Sequence, residues 1–346
     1  MDAEILVEVR RGDLVEAVHR GHLAVVDGEG NLVCRLGDPN VATYTRSAAK
    51  PFQAIPFLLS GAAERFGFIE QEVALACASH NGEPIHTETA ARMLSKAGFE
   101  EKDLRCGAHT PFHDETARAM LREGENPTQL HNNCSGKHAS MLAFTRQIGA
   151  PADNYHKLEN PIQQRILEAI EQFSGVSREE ILIGIDGCSL PNFALPLAAI
   201  ARMSARLVSP PADFDTETRV ACRRVVAAMM THPQIISGTG DDTLDTFVME
   251  SAAGRIVSKV GAEGVYTASV LPNPQWKRGL GIALKIENGE DRRSRPIAAL
   301  EILRQLGVFD AETAESLNSV IRPPLKNRRQ IIVGEVAPVF ELKIES

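Results

Sequence analysis

Val18-His19-Arg20-Gly21-His22-Leu23-Ala24-Val25-Val26-Asp27 runs into Gly28-Glu29-Gly30-Asn31 and then into Leu32-Val33-Cys34-Arg35-Leu36. Two largely apolar runs joined by four residues, two of them glycine, predict a hairpin, because glycine supplies the positive φ of a tight turn. Further strands are expected late in the chain, at 181–185, 254–260, 265–270, 280–286 and 330–339. The middle reads as helices. One is expected from near Ser47 toward Gly61, with a bend at Pro51 or Pro56, since proline breaks the helical ladder. Others fit 69–78, 86–97, 114–122, 137–147, 161–173, 192–203, 217–231, 242–251 and 296–306.

Strands at both ends around a helix-rich middle predict an α/β fold of the α+β kind, with a mixed or antiparallel sheet completed by both termini. The expected organisation is one catalytic unit over 1–346, with a helical subregion over about 60–250 between the N- and C-terminal strands. No glycine fingerprint follows the first strand, so a dinucleotide fold is not indicated. Gly238-Thr239-Gly240-Asp241 carries an acid where phosphate would sit and reads as a turn and helix cap.

The 346 residues are 43% hydrophobic and 5% aromatic, enough for an aliphatic core that needs neither disulfide nor metal to fold. The formal charge is −8 with both signs interspersed, and no basic stripe exists to neutralise phosphates, which argues against nucleic acid as a partner. The acidic start Met1-Asp2-Ala3-Glu4 lacks the pattern of a secretory signal. No apolar run reaches the roughly 18 residues a membrane span requires. Six scattered cysteines, Cys34, Cys77, Cys106, Cys134, Cys188 and Cys222, then read as reduced thiols in a cytoplasmic protein.

Three short patterns occur in order: Ser47-Ala48-Ala49-Lys50, Ser79-His80-Asn81 and Lys259-Val260-Gly261. Alone, the first is also what a helix-capping serine with a surface lysine looks like. Together they follow the S-x-x-K, S-x-N, K-x-G order of penicillin-recognising serine hydrolases, although the first two lie closer together than is usual there. Ser47 would attack a carbonyl carbon while Lys50 takes its proton, the two being one helical turn apart. Ser79, linked to Lys259, would relay a proton to the leaving amine. Backbone N–H groups of Ser47 and of the 259–261 edge would stabilise the oxyanion, with Gly261 leaving room for close approach.

Cys134-Ser135-Gly136-Lys137-His138 and Asp186-Gly187-Cys188 form a second constellation. Two thiols and a carboxylate in turn contexts could hold a soft divalent metal such as zinc. Equally, the thiols could be small buried apolar groups. Chemistry alone names His138 as the fourth ligand. Cys34, Cys77 and Cys222 read as core, and Cys106 is given no role.

Arg46-Ser47-x-x-Lys50-Pro51, Ser79-His80-Asn81-Gly82-Glu83, Asn133-Cys134-Ser135-Gly136-Lys137-His138, Asp186-Gly187-Cys188 and Gly261-Ala262-Glu263-Gly264 together resemble the L-asparaginases of the inducible rhizobial type, also called class 3 or asparaginase II. The resemblance spans nearly the whole chain and implies a fold like that of serine β-lactamases and serine-dependent glutaminases. It implies two serine–lysine tandems, Ser47 with Lys50 and Ser79 with Lys259. It implies a zinc ion held by Cys134, Lys137, Asp186 and Cys188, naming Lys137 where chemistry names His138, with a role in substrate binding rather than water activation. Arg46, His80 and Asn81 would place the charged ends of L-asparagine, and a homodimer is expected. The family's arginine near Thr243-Leu244-Asp245-Thr246, and its frequent cysteine at the position of Asp245, are missing.

Three functions follow from these residues. The first is hydrolysis of L-asparagine to L-aspartate and ammonia. The second keeps the fold and changes the substrate to glutamine, a β-lactam or a peptide. The third is a non-enzymatic zinc-binding homologue, against which the retained Lys50 and Lys259 argue.

Overall fold

The computed structural model describes residues 2–240 and 243–344. The strands are β1 (Glu4–Arg11), β2 (Leu14–Asp27), β3 (Leu32–Leu36), β4 (Ala42–Tyr44), β5 (Leu182–Ile185) and β6 (Pro191–Pro196). After them come β7 (Ile256–Gly261), β8 (Val265–Val270), β9 (Leu280–Ile286), β10 (Pro324–Lys326) and β11 (Ile332–Pro338). The chain divides into two compact units: 1–43 with 195–209 and 248–346, and 44–194 with 210–247.

The first unit is built on an eight-stranded sheet in the order β10-β11-β1-β2-β9-β8-β7, with β3 paired to β2. Its described pairings are antiparallel. The α+β fold with a sheet completed by both termini is therefore as expected: β1 lies between β2 and β11, joining the first and last strands of the chain. β8 is buried at every position, and β9 at all but one, so these strands read as unbroken apolar runs. The helix Leu197–Val208 lies on β2, β8 and β9. It sits so close that a Cβ on Gly281 of β9 would meet Ala201 O at 1.9 Å, which is why that position is glycine.

The sheet begins earlier than the sequence indicates. Glu4–Arg11 and residues 14–17 are strand, joined by the two-residue loop Gly12-Asp13 with Gly12 at φ +56°. The expected helix at 192–203 is corrected: 191–196 is β6, and the helix starts at Leu197. Pro196 disfavours helical backbone at Leu195, and β6 pairs antiparallel with β5. The helix expected at 242–251 is observed as Leu244–Ser251, with Asp241 and Asp242 outside the described residues.

The second unit is helical. Its centre is the helix Ser135–Ile148, in which residues 135–145 are all buried. Neighbours on every side, Lys50–Leu59, Glu70–Ala76, Pro84–Lys96 and Pro161–Ser174, leave residues 135–145 no solvent face. Lys137 and His138, in its first turn, are thereby carried into the interior. Gly136 permits this, because a Cβ there would meet Leu75 Cγ at 2.4 Å and Leu75 O at 2.5 Å.

Candidate active site

Residues 77–83 connect two helices of the second unit and are buried except at Ser79, which is half-buried. A buried loop must satisfy its polar groups internally. Ser79 N donates to Ile236 O (2.9 Å) and His113 N donates to Asn81 O (3.0 Å). Gly82 N donates to His80 Nδ1 (3.2 Å), so that nitrogen carries no proton. The hydrogen of His80 is therefore on Nε2, which bonds Ser135 Oγ at 2.9 Å. Burial, with the charges of His86 and Lys50 adding to it, holds His80 well below the ordinary imidazole range and so neutral.

Lys50 enters this loop from the start of its own helix. A 3-10 turn at Arg46–Ala49 precedes the helix Lys50–Leu59, whose Pro51 lies in the first turn where no N–H is required. Fully buried, Lys50 Nζ donates to Ala78 O (2.5 Å) and Asn133 O (3.2 Å) and stands 2.8 Å from Ser79 Oγ. Carbonyls only accept, so two of the amine's hydrogens are committed to them. Toward Ser79 the nitrogen can either donate a proton or, when neutral, accept one. The structure thus brings Lys50 to Ser79, a pairing the sequence patterns do not give.

Asn81 is held by Glu83, whose carboxylate also accepts Thr239 N (3.0 Å) and Thr239 Oγ1. Burial opposes ionisation of Glu83, and the bonds from Thr239 and Asn81 outweigh it, keeping the carboxyl below its usual range. With the Asn81 amide donating to Glu83, its Oδ1 is left buried and without a hydrogen-bond partner among the described residues. Gly238, at φ +110°, lies flat against this amide, and a Cβ there would meet Asn81 Nδ2 at 2.1 Å.

The thiol constellation also assembles. Cys134 caps the central helix, its N–H held by Asn132 Oδ1 at 2.8 Å. Lys137 Nζ is 3.2 Å from Cys188 Sγ, and Cys188 Sγ is 3.8 Å from Asp186 Oδ2. The other Asp186 oxygen accepts Arg46 Nε at 2.8 Å. Cys134 donates to Cys188, which pushes the Cys188 thiol down and the Cys134 thiol up. Burial disfavours charge on Lys137, but the Cys134, Cys188 and Asp186 charges outweigh it and raise its pKa. Burial likewise opposes ionisation of Asp186, and Lys137 and Arg46 outweigh it.

His138 has a different commitment. Arg105 N donates to Tyr155 Oη (2.9 Å), and Tyr155 Oη lies 2.6 Å from His138 Nδ1. Burial keeps Tyr155 a phenol, and its 2.6 Å contact engages His138 Nδ1. That nitrogen is committed to Tyr155 rather than to the thiols. Lys137, by contrast, points its amine at a thiol. Among the described residues no three His, Cys, Asp or Glu side chains form a metal-holding group. Two thiols, a carboxylate and an amine are nevertheless chemically suited to a borderline-soft cation such as zinc.

Lys259 and Gly261 lie in the first unit, on β7, the edge strand of its sheet. Lys259 is buried and its Nζ donates to Val260 O at 3.0 Å. Arg295 donates to Gly261 O at 2.8 Å. Asp245, where the family often has cysteine, is fully buried.

A model of the L-asparaginase II family matches residues 7–338. The chain belongs to the L-asparaginase II family. It is accordingly a member of an amidohydrolase family acting on small molecules. No curated protein matches the chain. Among solved structures, a probable glutaminase from Bacillus subtilis complexed with 6-diazo-5-oxo-L-norleucine is 14% identical, over 84% of this chain and 85% of that one, at a TM-score of 0.40. A Bacillus glutaminase determined in 4.3 M NaCl is 15% identical, over 84% and 92%, at 0.39. No helix among the described residues is long and apolar enough to cross a membrane.

Several residues were given no role at the site by the sequence patterns. Glu83 and Gly238 shape Asn81. Asn132 joins Cys106 O (3.0 Å) to Cys134 N, which brings Cys106 beside the thiol pair. Burial first, then the Cys134 and Cys188 charges, push the Cys106 thiol up to about 12. An asparagine two residues before the N-cap position Cys134 was the available signal, since asparagine favours helix starts. Tyr155 and Asn192 gave none, being distant in sequence from the groups they hold.

Proposed function

We propose that this chain hydrolyses L-asparagine to L-aspartate and ammonia through an acyl-enzyme on Ser47, in the manner of the inducible rhizobial, class 3 branch of its family. The buried Lys50 amine supports the reading: two carbonyls fix its direction, and the Ser79 hydroxyl 2.8 Å away gives it a partner to which a proton taken from Ser47 can pass.

Neutral Lys50 takes the Ser47 hydroxyl proton as Ser47 Oγ bonds to the side-chain amide carbon. The proton passes through Ser79 to the departing nitrogen, and ammonia leaves. Water then cleaves the ester by the same route in reverse, releasing aspartate. Asn81 Oδ1, a buried acceptor with no hydrogen-bond partner among the described residues, suits the substrate's ammonium, and Arg46 suits its carboxylate. His80, held neutral, shapes this pocket without adding charge. Lys259 pairs with Ser79 as the resemblance implies, and Gly261 leaves room for close backbone approach to the substrate, as the K-x-G pattern suggests.

Zinc bound by Cys134, Lys137, Asp186 and Cys188 would supply a fixed positive charge that orders the substrate pocket. Asp186 already ties that set to Arg46 at 2.8 Å, so the ligands and the carboxylate-binding arginine form one network. The proposal includes a cytoplasmic homodimer; sedimentation of the purified protein tests the dimer and cell fractionation its location.

The Lys50–Ser79 bond also favours a second reading, in which Ser79 is the nucleophile. Ammonia release from L-asparagine and L-glutamine is measured for wild type, Ser47→Ala and Ser79→Ala, with intact-mass detection of the acyl-enzyme. The expected result is asparagine turnover that Ser47→Ala abolishes, with the adduct on Ser47. An adduct on Ser79 selects the second reading. No ammonia from either amide, with zinc supplied, ends both.

A further inference from the structure

Arg46, immediately before Ser47, has φ +49°, in the left-handed region that side chains other than glycine's rarely adopt. Something must hold it there. Its own N–H donates to Asn192 Oδ1 at 3.1 Å, and its guanidinium donates to Asp186 Oδ1 at 2.8 Å. Thr45, one residue earlier, donates both its N–H (2.8 Å) and its hydroxyl (3.1 Å) to Phe193 O. The segment that delivers Ser47 is thus pinned to β6 by three bonds, and to Asp186 in the β5–β6 turn by a fourth; one of the two acceptors on β6 is a side chain. Asn192 is buried, and Gly184, opposite it on β5, is pressed against the Tyr44 ring.

We propose that Asn192 is a positioning residue for Ser47. By accepting the Arg46 N–H it keeps Arg46 left-handed, and this sets the direction of the 3-10 turn Arg46–Ala49. That turn in turn aims two groups: the Ser47 hydroxyl, and the Ser47 N–H, which lies in the first turn of a helix where N–H groups lack intrahelical acceptors. Asn192 therefore acts on nucleophile and oxyanion donor together without touching substrate. Asp186 holds the other end of the same residue, so the Arg46 backbone and side chain are gripped separately from the β5–β6 hairpin. The inference rests on the reading of Ser47 as nucleophile.

The test uses the full chain and compares Asn192→Ala with Asn192→Asp, which keeps an acceptor oxygen. Asn192→Ala is expected to lower kcat about 10- to 100-fold, the scale of an ångström misplacement, while KM moves less than about threefold. Asn192→Asp should recover most of that loss. A cycle with Arg46→Gly separates positioning from general packing, because glycine adopts positive φ unaided. In the Arg46→Gly background, removing the Asn192 acceptor should cost less than about threefold further. Equal losses in both backgrounds, an unchanged kcat in Asn192→Ala, or a rise in KM alone would each overturn the proposal. If Asn192→Ala does not fold, the Asn192→Asp variant and the double variant still decide it by the same criteria. Ser47→Ala run alongside keeps the two readings apart. An active Ser47→Ala overturns the nucleophile assignment and this inference with it, whereas an inactive one beside an unimpaired Asn192→Ala overturns this inference alone.

Discussion

Lys50 Nζ stands 2.8 Å from Ser79 Oγ while donating to the carbonyls of Ala78 and Asn133, so one amine links three separate stretches of chain at the candidate site. Catalysis and stability should therefore fail together when it is removed. Lys50→Met should cut ammonia release roughly 10²- to 10⁴-fold, the usual worth of a positioned acid–base group. It should also cost about 1–3 kcal/mol for each carbonyl left buried without its donor. Ammonia assays and urea denaturation check the two effects, and a variant within tenfold of wild type would exclude Lys50 as the base.

Gly238 and Asn81 are in contact tight enough that any side chain must displace the amide. Gly238→Ala should move Asn81 Oδ1 away from the substrate ammonium and raise KM for asparagine roughly tenfold or more. Steady-state kinetics decide it. An unchanged KM would remove Asn81 from the substrate site.

Lys137 and Cys134 would make the proposed zinc binding a proton-releasing event. The metal-free site holds Lys137 as an ammonium and one proton on Cys134, and both must leave before those atoms can ligate. Zinc affinity should therefore rise with pH, by about tenfold per pH unit for each proton displaced. Isothermal titration in buffers of different ionisation enthalpy counts the protons. Cys188→Ser should lower the zinc content measured by atomic absorption, and stoichiometric zinc in that variant would rule out Cys188 as a ligand.

His80 and His86 stack at 4.8 Å, and burial lowers the pKa of each. Unfolded histidine takes up its proton near pH 6.5, whereas these two resist protonation in the folded chain until lower pH. Below about 6.5 the unfolded state then binds more protons, and stability falls as pH falls. The slope should approach about 1.4 kcal/mol per pH unit for each histidine. Urea midpoints between pH 5 and 7.5 measure it, and a flat profile for wild type would contradict the neutral assignment. His80→Gln should flatten the slope.

Gly136 and Leu75 set the spacing of two core helices. Gly136→Ala would place a methyl 2.4 Å from Leu75 Cγ and should destabilise the protein by about 1–3 kcal/mol, through overpacking. Thermal unfolding tests this, and wild-type stability would mean the helices can separate without loss.

The sequence by itself determined the sheet from both termini, most of the helices and the family, because these rest on local periodicity and on motifs read in order. The expected strands at 265–270 and 280–286 are observed as Val265–Val270 and Leu280–Ile286, and the expected helix at 161–173 as Pro161–Ser174. The strand Pro191–Pro196 was not legible, since its pairing with β5 overrides an apolar pattern that also suits a helix. At the site, sequence supplied Ser47, Lys50, Ser79 and the thiols as residue types. Only the tertiary structure decided that Lys50 meets Ser79, that Tyr155 engages the His138 ring while Lys137 faces Cys188, and that Asn192 grips the backbone ahead of Ser47. Those relationships join residues 17 to 146 positions apart, and hydrogen bonds over such separations leave no trace in local pattern.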